Sequence, residues 1–186
     1  MIRSKQDLKY YLYKDGERFD KKPSLKDYFL SNESWYLYRF VKTLRYVEYY
    51  KNSNQYLLNK LLFYWYFYWY KKLVFNLKID IKPNTIGPGL RIYHAGGIIR
   101  IKPNCKIGKN FTIQPGVVIG NKTIENLDEE VVIGDNCYIG LDAKILGKIT
   151  IGNNVTIGAN SVVLENFPDN CIIGGIPAKI LKMSNK

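Results

Sequence analysis

Apolar residues in the first part of the chain recur at the spacing of an α-helix. Within residues 32–52 they fall every three or four positions, at Leu37, Phe40, Val41, Leu44 and Val47. Charged side chains lie between them, which is typical of an amphipathic helix that buries one face. The spacing of Ser24 and Asp27 favours a helix start upstream, and the aromatic segment at about 55–75 is predicted to be helical as well.

The second part of the chain repeats every six residues, a period that fits neither a helix nor a single strand. The uninterrupted series is Ile133, Ile139, Ile145, Ile151, Ile157 and Val163. The residues four positions after the first five of these are Cys137, Ala143, Ile149, Val155 and Ser161. Corners such as "IGDN", "IGNN" and "IGAN" carry glycine and asparagine, which tolerate backbone angles that other residues resist. This unit predicts a parallel β-helix whose aliphatic side chains stack into ladders.

Two breaks interrupt the six-residue period. The upstream series Ile86, Ile92 and Ile98 is followed after only three positions by Ile101. Between Ile119 and Ile133 there are fourteen positions, which include the polar and acidic stretch 120–130. Because insertions in a repeat protein map to one face, which is often the binding face, we expect the active cleft near these breaks.

The two patterns predict two regions. Residues 1–78 form a helical, aromatic-rich, basic N-terminal region, and residues 79–186 form a β-helix domain with a short C-terminal tail, so the fold is mainly β. The formal net charge is +12, and +9 of it lies in residues 1–78. Such an excess favours an anionic partner or surface.

The amino terminus lacks the apolar core of a signal peptide, so we expect a cytoplasmic protein. The longest apolar run, "LLFYWYFYWY" at residues 61–70, is much shorter than the roughly 20 residues that cross a bilayer. Its aromatic side chains favour a helix packed between subunits. Peripheral contact with the inner face of the membrane is the second interpretation.

His94, in "RIYHAGGIIR", is the only histidine. Acyl transfer to a hydroxyl needs a base that removes the hydroxyl proton, and imidazole suits this role near neutral pH. A carboxylate that orients the imidazole improves the base. Asp80 lies 14 residues earlier and is the candidate for that role, from a neighbouring coil.

The repeat resembles that of the hexapeptide-repeat acyltransferases over roughly residues 79–183. The resemblance implies a left-handed parallel β-helix with three faces per coil, usually assembled as a trimer. The stretch "IDIKPNTIGPGLRIYHAGGIIR" looks like the signature of serine acetyltransferases and of their relatives in capsule and surface-polysaccharide gene clusters. In that family the residues matching Asp80 and His94 form the catalytic dyad.

The resemblance also implies acetyl-CoA as acyl donor, bound in the groove between neighbouring subunits. Gly120 would present its backbone N–H to the thioester carbonyl, and Leu141 and Ala159 would flank the pantetheine arm. Lys179, in "GGIPAKIL", would pair with the phosphates of CoA.

The sequence departs from the serine acetyltransferases at two places near the acceptor. Tyr93 stands where they carry an aspartate that helps hold the serine amino group, and residues 120–130 contain no arginine or histidine to match their Arg-His pair. Tyr93 is therefore a candidate substrate contact. We expect an acetyl-CoA-dependent O-acetyltransferase that acts on a sugar precursor of a capsular or surface polysaccharide.

Two alternatives stay open. One is L-serine O-acetylation for cysteine biosynthesis, and the other is a non-catalytic trimeric scaffold. A homotrimer is expected in each case, and trimers could pair through the N-terminal helices.

Other chemistries lack support in the sequence. Cys105 and Cys137 occupy inward positions of the repeat, and Cys171 has no histidine or second cysteine near it, so direct transfer is favoured over a cysteine intermediate. We expect no metal, because the related β-helical carbonic anhydrases need three histidines. No nucleic-acid-binding module is recognised, so we expect no nucleic-acid partner.

Overall fold

The structure is a computed structural model that describes residues 1–19, 23–53, 56–123, 125 and 129–183. Its described residues form a helical region followed by a three-sided stack of parallel strands. Helix ends at Leu77 and strand begins at Ile79.

The helical region holds helices of very different lengths. They are α1 (Lys5–Glu17), α2 (Leu25–Phe29), α3 (Glu33–Asn52) and α4 (Leu57–Leu77). Ser24 and Asp27 form the predicted capping box before α2, and the side chain of Asn32 caps α3 by accepting from Ser34 N–H. The apolar face of α3 is buried as its spacing predicts. The hydrophobic pattern did not single out α1, whose apolar residues are few.

The strands are short, as expected for faces of a repeating coil. They are β1 (Ile79–Ile81), β2 (Arg91–Ile92), β3 (Ile99–Ile101), β4 (Cys105–Ile107), β5 (Thr112–Ile113), β6 (Val118–Gly120), β7 (Val131–Ile133), β8 (Tyr138–Ile139), β9 (Lys144–Leu146), β10 (Ile149–Ile151), β11 (Thr156–Ile157), β12 (Val162–Val163), β13 (Cys171–Gly175) and β14 (Ala178–Met183).

From β2 to β9 each strand pairs with the strand three positions further along the chain, so the strands form three sheets around one core. The first sheet has the order β1-β3-β6-β9-β12, the second β10-β7-β4, and the third β14-β13-β11-β8-β5-β2. All pairs are parallel except β13 with β14, which closes the last coil as an antiparallel pair. The mainly β architecture agrees with the predicted three-faced β-helix and is consistent with its left-handed form.

The buried core consists of the ladders that the six-residue period predicts. Ile133, Ile139, Ile145, Ile151, Ile157 and Val163 are all buried, and so are the five residues that follow four positions after the first five of these. At one corner the asparagines Asn136, Asn154 and Asn170 adopt positive φ angles of 57°, 55° and 58°. Their side-chain amides bond along the axis from one coil to the next.

The first break in the period is a corner that contains extra residues. The six-residue series placed Ile98 among the inward positions, and this prediction is wrong. Regular steps from the third sheet to the first cover six positions, as from Ile113 to Ile119, whereas Ile92 to Ile101 covers nine. The three extra residues shift the phase, so that Ile98 is 59% exposed and Ile99 is buried in its place. His94 lies in this enlarged corner.

The second break is one insertion between the first and second sheets. Gly120 ends β6 and Val131 begins β7, and the ladder step from Ile119 to Ile133 is eight residues longer than the regular step of six. Residues 124 and 126–128 of the predicted extruded loop lie outside the described residues.

A buried ion cluster ties the helices to the first coil. Arg45 on α3 is fully buried and bonds Asp15 on α1 and Glu48 on its own helix. It also donates to the carbonyl oxygens of Ile86 and Gly87 at 2.9 and 2.7 Å. Burial alone would lower the pKa of Arg45, but Asp15 and Glu48 outweigh it and raise the pKa above its ordinary value. The guanidinium therefore stays charged.

Helix α4 exposes a row of large apolar side chains. Leu57, Leu61, Trp65, Tyr68 and Phe75 are exposed. Among the helices of the described residues, none is long and apolar enough to cross a bilayer.

Candidate active site

His94 lies at the enlarged corner between the third and first sheets, two residues after the end of β2. Its side chain is 63% exposed. Leu141 and Ala159 also lie two residues after a strand of the third sheet, β8 and β11. Because these strands stack in register, the three residues follow one edge of the β-helix.

The imidazole of His94 is held by a carboxylate from the helical region. Glu33, the first residue of α3, places Oε2 at 3.1 Å from Nδ1 of His94. Its Oε1 accepts from the backbone N–H of Ala95 at 2.6 Å. An ionised carboxylate only accepts, so this contact is a hydrogen bond in the tautomer that carries the proton on Nδ1. Nε2 is then the nitrogen that can take a proton from a substrate.

The predicted partner of His94, Asp80, makes a different contact. Asp80 lies in the middle of β1, and its two carboxylate oxygens accept from Lys82 Nζ at 2.9 and 2.8 Å. Among the described residues no hydrogen bond joins Asp80 to His94. The register pairs Asp80 with Arg100 on the next coil, so His94 comes before one full coil is complete. The dyad of Asp80 with His94 therefore stays a prediction.

Tyr93 stands beside His94 in the same corner. Its side chain is exposed, and the two rings lie 6.3 Å apart at an angle of 48°. The guanidinium of Arg91 lies 5.0 Å from the Tyr93 ring and 4.7 Å from the Phe19 ring. The Arg91 cation thus contacts two aromatic rings, one of which belongs to the residue next to the candidate base, and the sequence pattern did not single it out.

The other predicted donor-binding residues lie at separate places. Gly120 ends β6, at the opposite edge of the first sheet from the corner of His94. A Cβ added there would meet only side-chain carbons at 3.7 and 3.8 Å, so this chain's own packing does not require glycine at that position. Lys179 lies in β14 and pairs with Glu165 at 2.8 Å. Their roles toward a ligand remain predictions.

The cysteines are buried away from this edge. Burial raises the pKa of Cys105 to about 12 and that of Cys137 to about 11, and it also raises the pKa of Cys171. Thiols with raised pKa values are poor nucleophiles, because the thiolate is the reactive form. In the described part of the chain, no cluster of three His, Cys, Asp or Glu side chains could hold a metal ion.

A cavity of about 550 Å³ lies in the helical region. Its lining includes Trp35, Trp65 and Trp69 together with Arg39 and Lys42. The guanidinium of Arg39 lies about 5 Å from both the Trp35 ring and the Trp69 ring. Trp35 follows Glu33 by two residues on α3.

Sequence reasoning missed Glu33. It lies 61 residues from His94, and in the sequence it is only the residue after a helix cap. No periodic pattern connects a helix start with a corner of the β-helix, so this pair emerges only from the folded chain.

Comparisons with known proteins agree with this architecture. Residues 130–165 match the family model "Bacterial transferase hexapeptide (six repeats)". A serine acetyltransferase of Staphylococcus xylosus is 44% identical over 109 residues, which are 58% of this chain and 50% of that protein. The chain thus spans about half the length of the curated relatives it matches.

Solved structures extend the likeness to the helical region. A serine acetyltransferase from Brucella abortus strain S19 superposes with a TM-score of 0.73 at 25% identity, and covers 97% of this chain and 71% of its own. A structure of serine acetyltransferase from the same strain in complex with coenzyme A gives a TM-score of 0.71 at 25% identity, over 97% and 68% of the two chains. The chain is therefore similar to serine acetyltransferases in sequence over part of its length and in fold over most of it, and residues 130–165 match the hexapeptide repeat.

Proposed function

We propose that this protein is an O-acetyltransferase that moves the acetyl group of acetyl-CoA directly to an acceptor hydroxyl. The observation that supports the proposal most strongly is the environment of the His94 side chain. The imidazole is exposed, its Nδ1 is held by a carboxylate, and Nε2 is left for proton transfer at the edge shared with Leu141 and Ala159. The homology to serine acetyltransferases supports the same chemistry.

In this reaction His94 is the general base. Nε2 takes the proton of the acceptor hydroxyl while the hydroxyl oxygen bonds to the acetyl carbonyl carbon. The bond from that carbon to the CoA sulfur then breaks, and the proton on His94 passes to the departing thiolate. The raised pKa values of the three cysteines support direct transfer over a thioester on the enzyme.

Four residues are proposed contacts for acetyl-CoA. Gly120 would donate its backbone N–H to the thioester carbonyl, and the room where a Cβ is missing supports this role. Leu141 and Ala159 would contact the pantetheine arm along the edge that they share. Lys179, which pairs with Glu165 in the structure, would pair with a phosphate of CoA instead. A relative solved in complex with coenzyme A supports the choice of donor.

L-serine is the acceptor that the comparisons favour, because the relatives are serine acetyltransferases. This preference reverses the order drawn from the sequence, where a sugar came first.

A sugar hydroxyl on a surface-polysaccharide precursor is the second candidate. Tyr93 and the loop lacking arginine and histidine support it, as does the cavity beside α3. Aromatic walls can pack on the apolar faces of a sugar, and Arg39 and Lys42 would suit a phosphate on a nucleotide- or lipid-linked precursor.

We also propose that the protein works as a homotrimer, which the fold of its homologues supports. The exposed apolar row on α4 suits burial between copies, including pairing of two trimers, and peripheral membrane contact is the second use for the same surface. Light scattering in solution should give a mass of three or six chains, and a monomer at micromolar concentration would contradict the proposal.

The function is tested by thiol release from acetyl-CoA with L-serine and with a panel of free and nucleotide-linked sugars. His94→Ala should lower the rate by about 10²- to 10⁴-fold, because it removes the base. Since His94 is exposed, the thermal midpoint of the variant should match that of the wild type. Release that persists in His94→Ala would contradict the mechanism.

The choice of acceptor decides between the remaining readings. Release with serine alone supports the serine acetyltransferase activity, and release with a sugar alone supports the polysaccharide precursor. If no acceptor gives release and acetyl-CoA does not bind in a calorimetric titration, the chain is the non-catalytic scaffold and the proposal fails.

A further inference from the structure

The exposed apolar row on α4 adjoins the aromatic cavity of the helical region. Leu57, Leu61, Trp65, Tyr68 and Phe75 follow one another at intervals of three, four and seven residues, which keeps them on one face of the helix. At about 1.5 Å per residue the row extends about 27 Å along the helix axis. Trp65 also lines the cavity of about 550 Å³, so the apolar row and the cavity form one continuous surface.

Positive charges gather where the apolar row meets the cavity. Arg39 and Lys42 line the cavity. The guanidinium of Arg39 lies 5.1 Å from the ring of Trp69, and Nζ of Lys72 lies 5.6 Å from the same ring. Lys72 also lies 5.2 Å from the ring of Tyr68 in the apolar row.

These cations lack an anionic partner in the described part of the chain. The residues that line the cavity there include no aspartate or glutamate, and no described carboxylate forms a salt bridge with Arg39, Lys42 or Lys72. Like charges close together repel one another, so a bound anion would stabilise this arrangement.

The charges of α4 have one sign as well. The helix contains three lysines and no acidic residue. At 100° per residue, Lys72 falls on the face of the apolar row, and Lys60 and Lys71 fall on either end of its border. All three are exposed. Leucine and aromatic side chains bordered by lysines are typical of helices that lie in a membrane interface.

Charge decides between the two uses of the apolar row. If two copies of α4 packed against each other, both would use the same patch. The lysines of one copy would then lie near those of the other, and α4 offers no carboxylate to pair with them. An anionic lipid surface supplies the opposite charge as well as an apolar layer.

The aromatic contacts also argue against a nucleotide in the cavity. Arg39 already packs against the rings of Trp35 and Trp69, and the rings of Tyr46 and Tyr66 stack on each other at 4.6 Å. These ring faces are therefore occupied and are not free for a nucleobase, whereas the N–H groups at the rim of the Arg39 guanidinium suit a phosphate.

We propose that the apolar row of α4 and the adjoining cavity bind the surface of a membrane that contains anionic phospholipids. Arg39 donates hydrogen bonds to a headgroup phosphate, Lys42 and Lys72 lie next to the same headgroups, and the apolar row lies at the level where the acyl chains begin. The protein is thereby held at the membrane surface without crossing it. This binding does not depend on acyl transfer at His94, so it goes beyond the proposed function.

The proposal is tested by sedimentation with vesicles of phosphatidylcholine, either alone or mixed with phosphatidylglycerol. At about 0.15 M salt the wild type should bind the mixed vesicles and not those of phosphatidylcholine alone. At about 1 M salt the Debye length falls to about 3 Å, so the affinity for the mixed vesicles should fall.

Lys42→Gln tests the contribution of charge. A lysine near an anionic surface contributes about fivefold to the affinity, so the variant should bind the mixed vesicles about fivefold more weakly. Lys51→Gln is the matched control. Lys51 is an exposed lysine of the same helix, nine residues further on and therefore on the opposite face, and its substitution should leave the affinity within about twofold.

Leu61→Ser tests the contribution of the apolar row. Loss of one leucine from the lipid layer should weaken vesicle binding about tenfold. Leu181→Ser is the matched control, because Leu181 is 68% exposed, against 59% for Leu61, but lies in β14. It should bind as wild type does. Both leucines are exposed, so the thermal midpoints of both variants should match that of the wild type.

Three results would overturn the proposal. The first is no binding to the mixed vesicles, and light scattering of Leu61→Ser then shows whether the apolar row lies between copies instead. The second is equal affinity of wild type and Lys42→Gln. The third is calorimetric binding of inorganic phosphate that Lys42→Gln abolishes, without vesicle binding, which would assign the cavity to a soluble anion. Thiol release from acetyl-CoA is measured without vesicles, so a failure of the proposed function leaves these results unchanged.

Discussion

The helical region and the β-helix hold together by different means. In the β-helix each coil repeats the same contacts, with aliphatic ladders inside and backbone hydrogen bonds between neighbouring parallel strands. The helical region relies on contacts that occur once, such as the buried Arg45 cluster and the parallel rings of Tyr46 and Tyr66 at 4.6 Å. In a repeat protein the stability is approximately a sum over similar coils and the contacts between neighbouring coils, whereas each contact of the helical region has no counterpart elsewhere.

The candidate site lies where the two kinds of structure meet. The β-helix supplies His94 on an enlarged corner, and the helical region supplies Glu33 and the anchor of Arg45. In a regular coil the step from the third sheet to the first spans six positions, whereas the step that contains His94 spans nine. The position of His94 therefore depends on two features that are not part of the repeat. One is the enlarged corner that carries His94, and the other is its contact with Glu33 from the helical region.

The largest effect is expected from Arg45→Met, which breaks the junction of the two regions. The substitution leaves the buried carboxylates of Asp15 and Glu48 without their cation and removes the donors to Ile86 and Gly87. We expect a loss of about 3–5 kcal/mol in the free energy of unfolding, measured by urea titration. Activity at a temperature where the variant is folded should also fall, because α3 carries Glu33.

Arg39→Met is the matched control for this prediction. Arg39 lies on the same helix but is only partly buried, between the rings of Trp35 and Trp69, so its loss should cost about 1–2 kcal/mol. Equal destabilisation by the two variants would show that the buried cluster has no special part in joining the regions.

The difference between repeated and single contacts also explains which features of the fold could be predicted from the sequence. The ladder from Ile133 to Val163 was predictable, because each position repeats a local requirement for an inward aliphatic residue. The prediction for Ile98 is wrong because a period carries no information about how many residues a corner inserts. On the helical side, the spacing of apolar residues predicted α3, and the segment at about 55–75, whose aromatic run is ambiguous by pattern alone, was predicted to be helical and forms α4.

For the candidate site, the sequence predicted the candidate base but not the residue that holds it. His94 stood out as the only histidine, beside a break in the repeat. The contacts of Glu33 with His94 and of Asp15 with Arg45 join residues 61 and 30 positions apart. A pair that occurs once leaves no pattern along the chain, so only the fold reveals it.

The smallest effect is expected at a corner of the β-helix, where Asn154 tests which property of asparagine the repeat uses. Asn154 has a φ of 55°, and its amide accepts from Asn136 and donates to Asn170. Alanine loses both side-chain bonds and strains the left-handed backbone, so Asn154→Ala should cost about 1–2 kcal/mol. Asn154→Gly loses the same two bonds but relieves the backbone, and it should cost less despite the greater freedom of glycine in the unfolded chain. The difference between their thermal midpoints therefore isolates the backbone contribution. Equal midpoints would show that asparagine stabilises this corner through its two amide hydrogen bonds. The stacked corners would then stabilise the coils through side-chain contacts, as the single contacts of the helical region do.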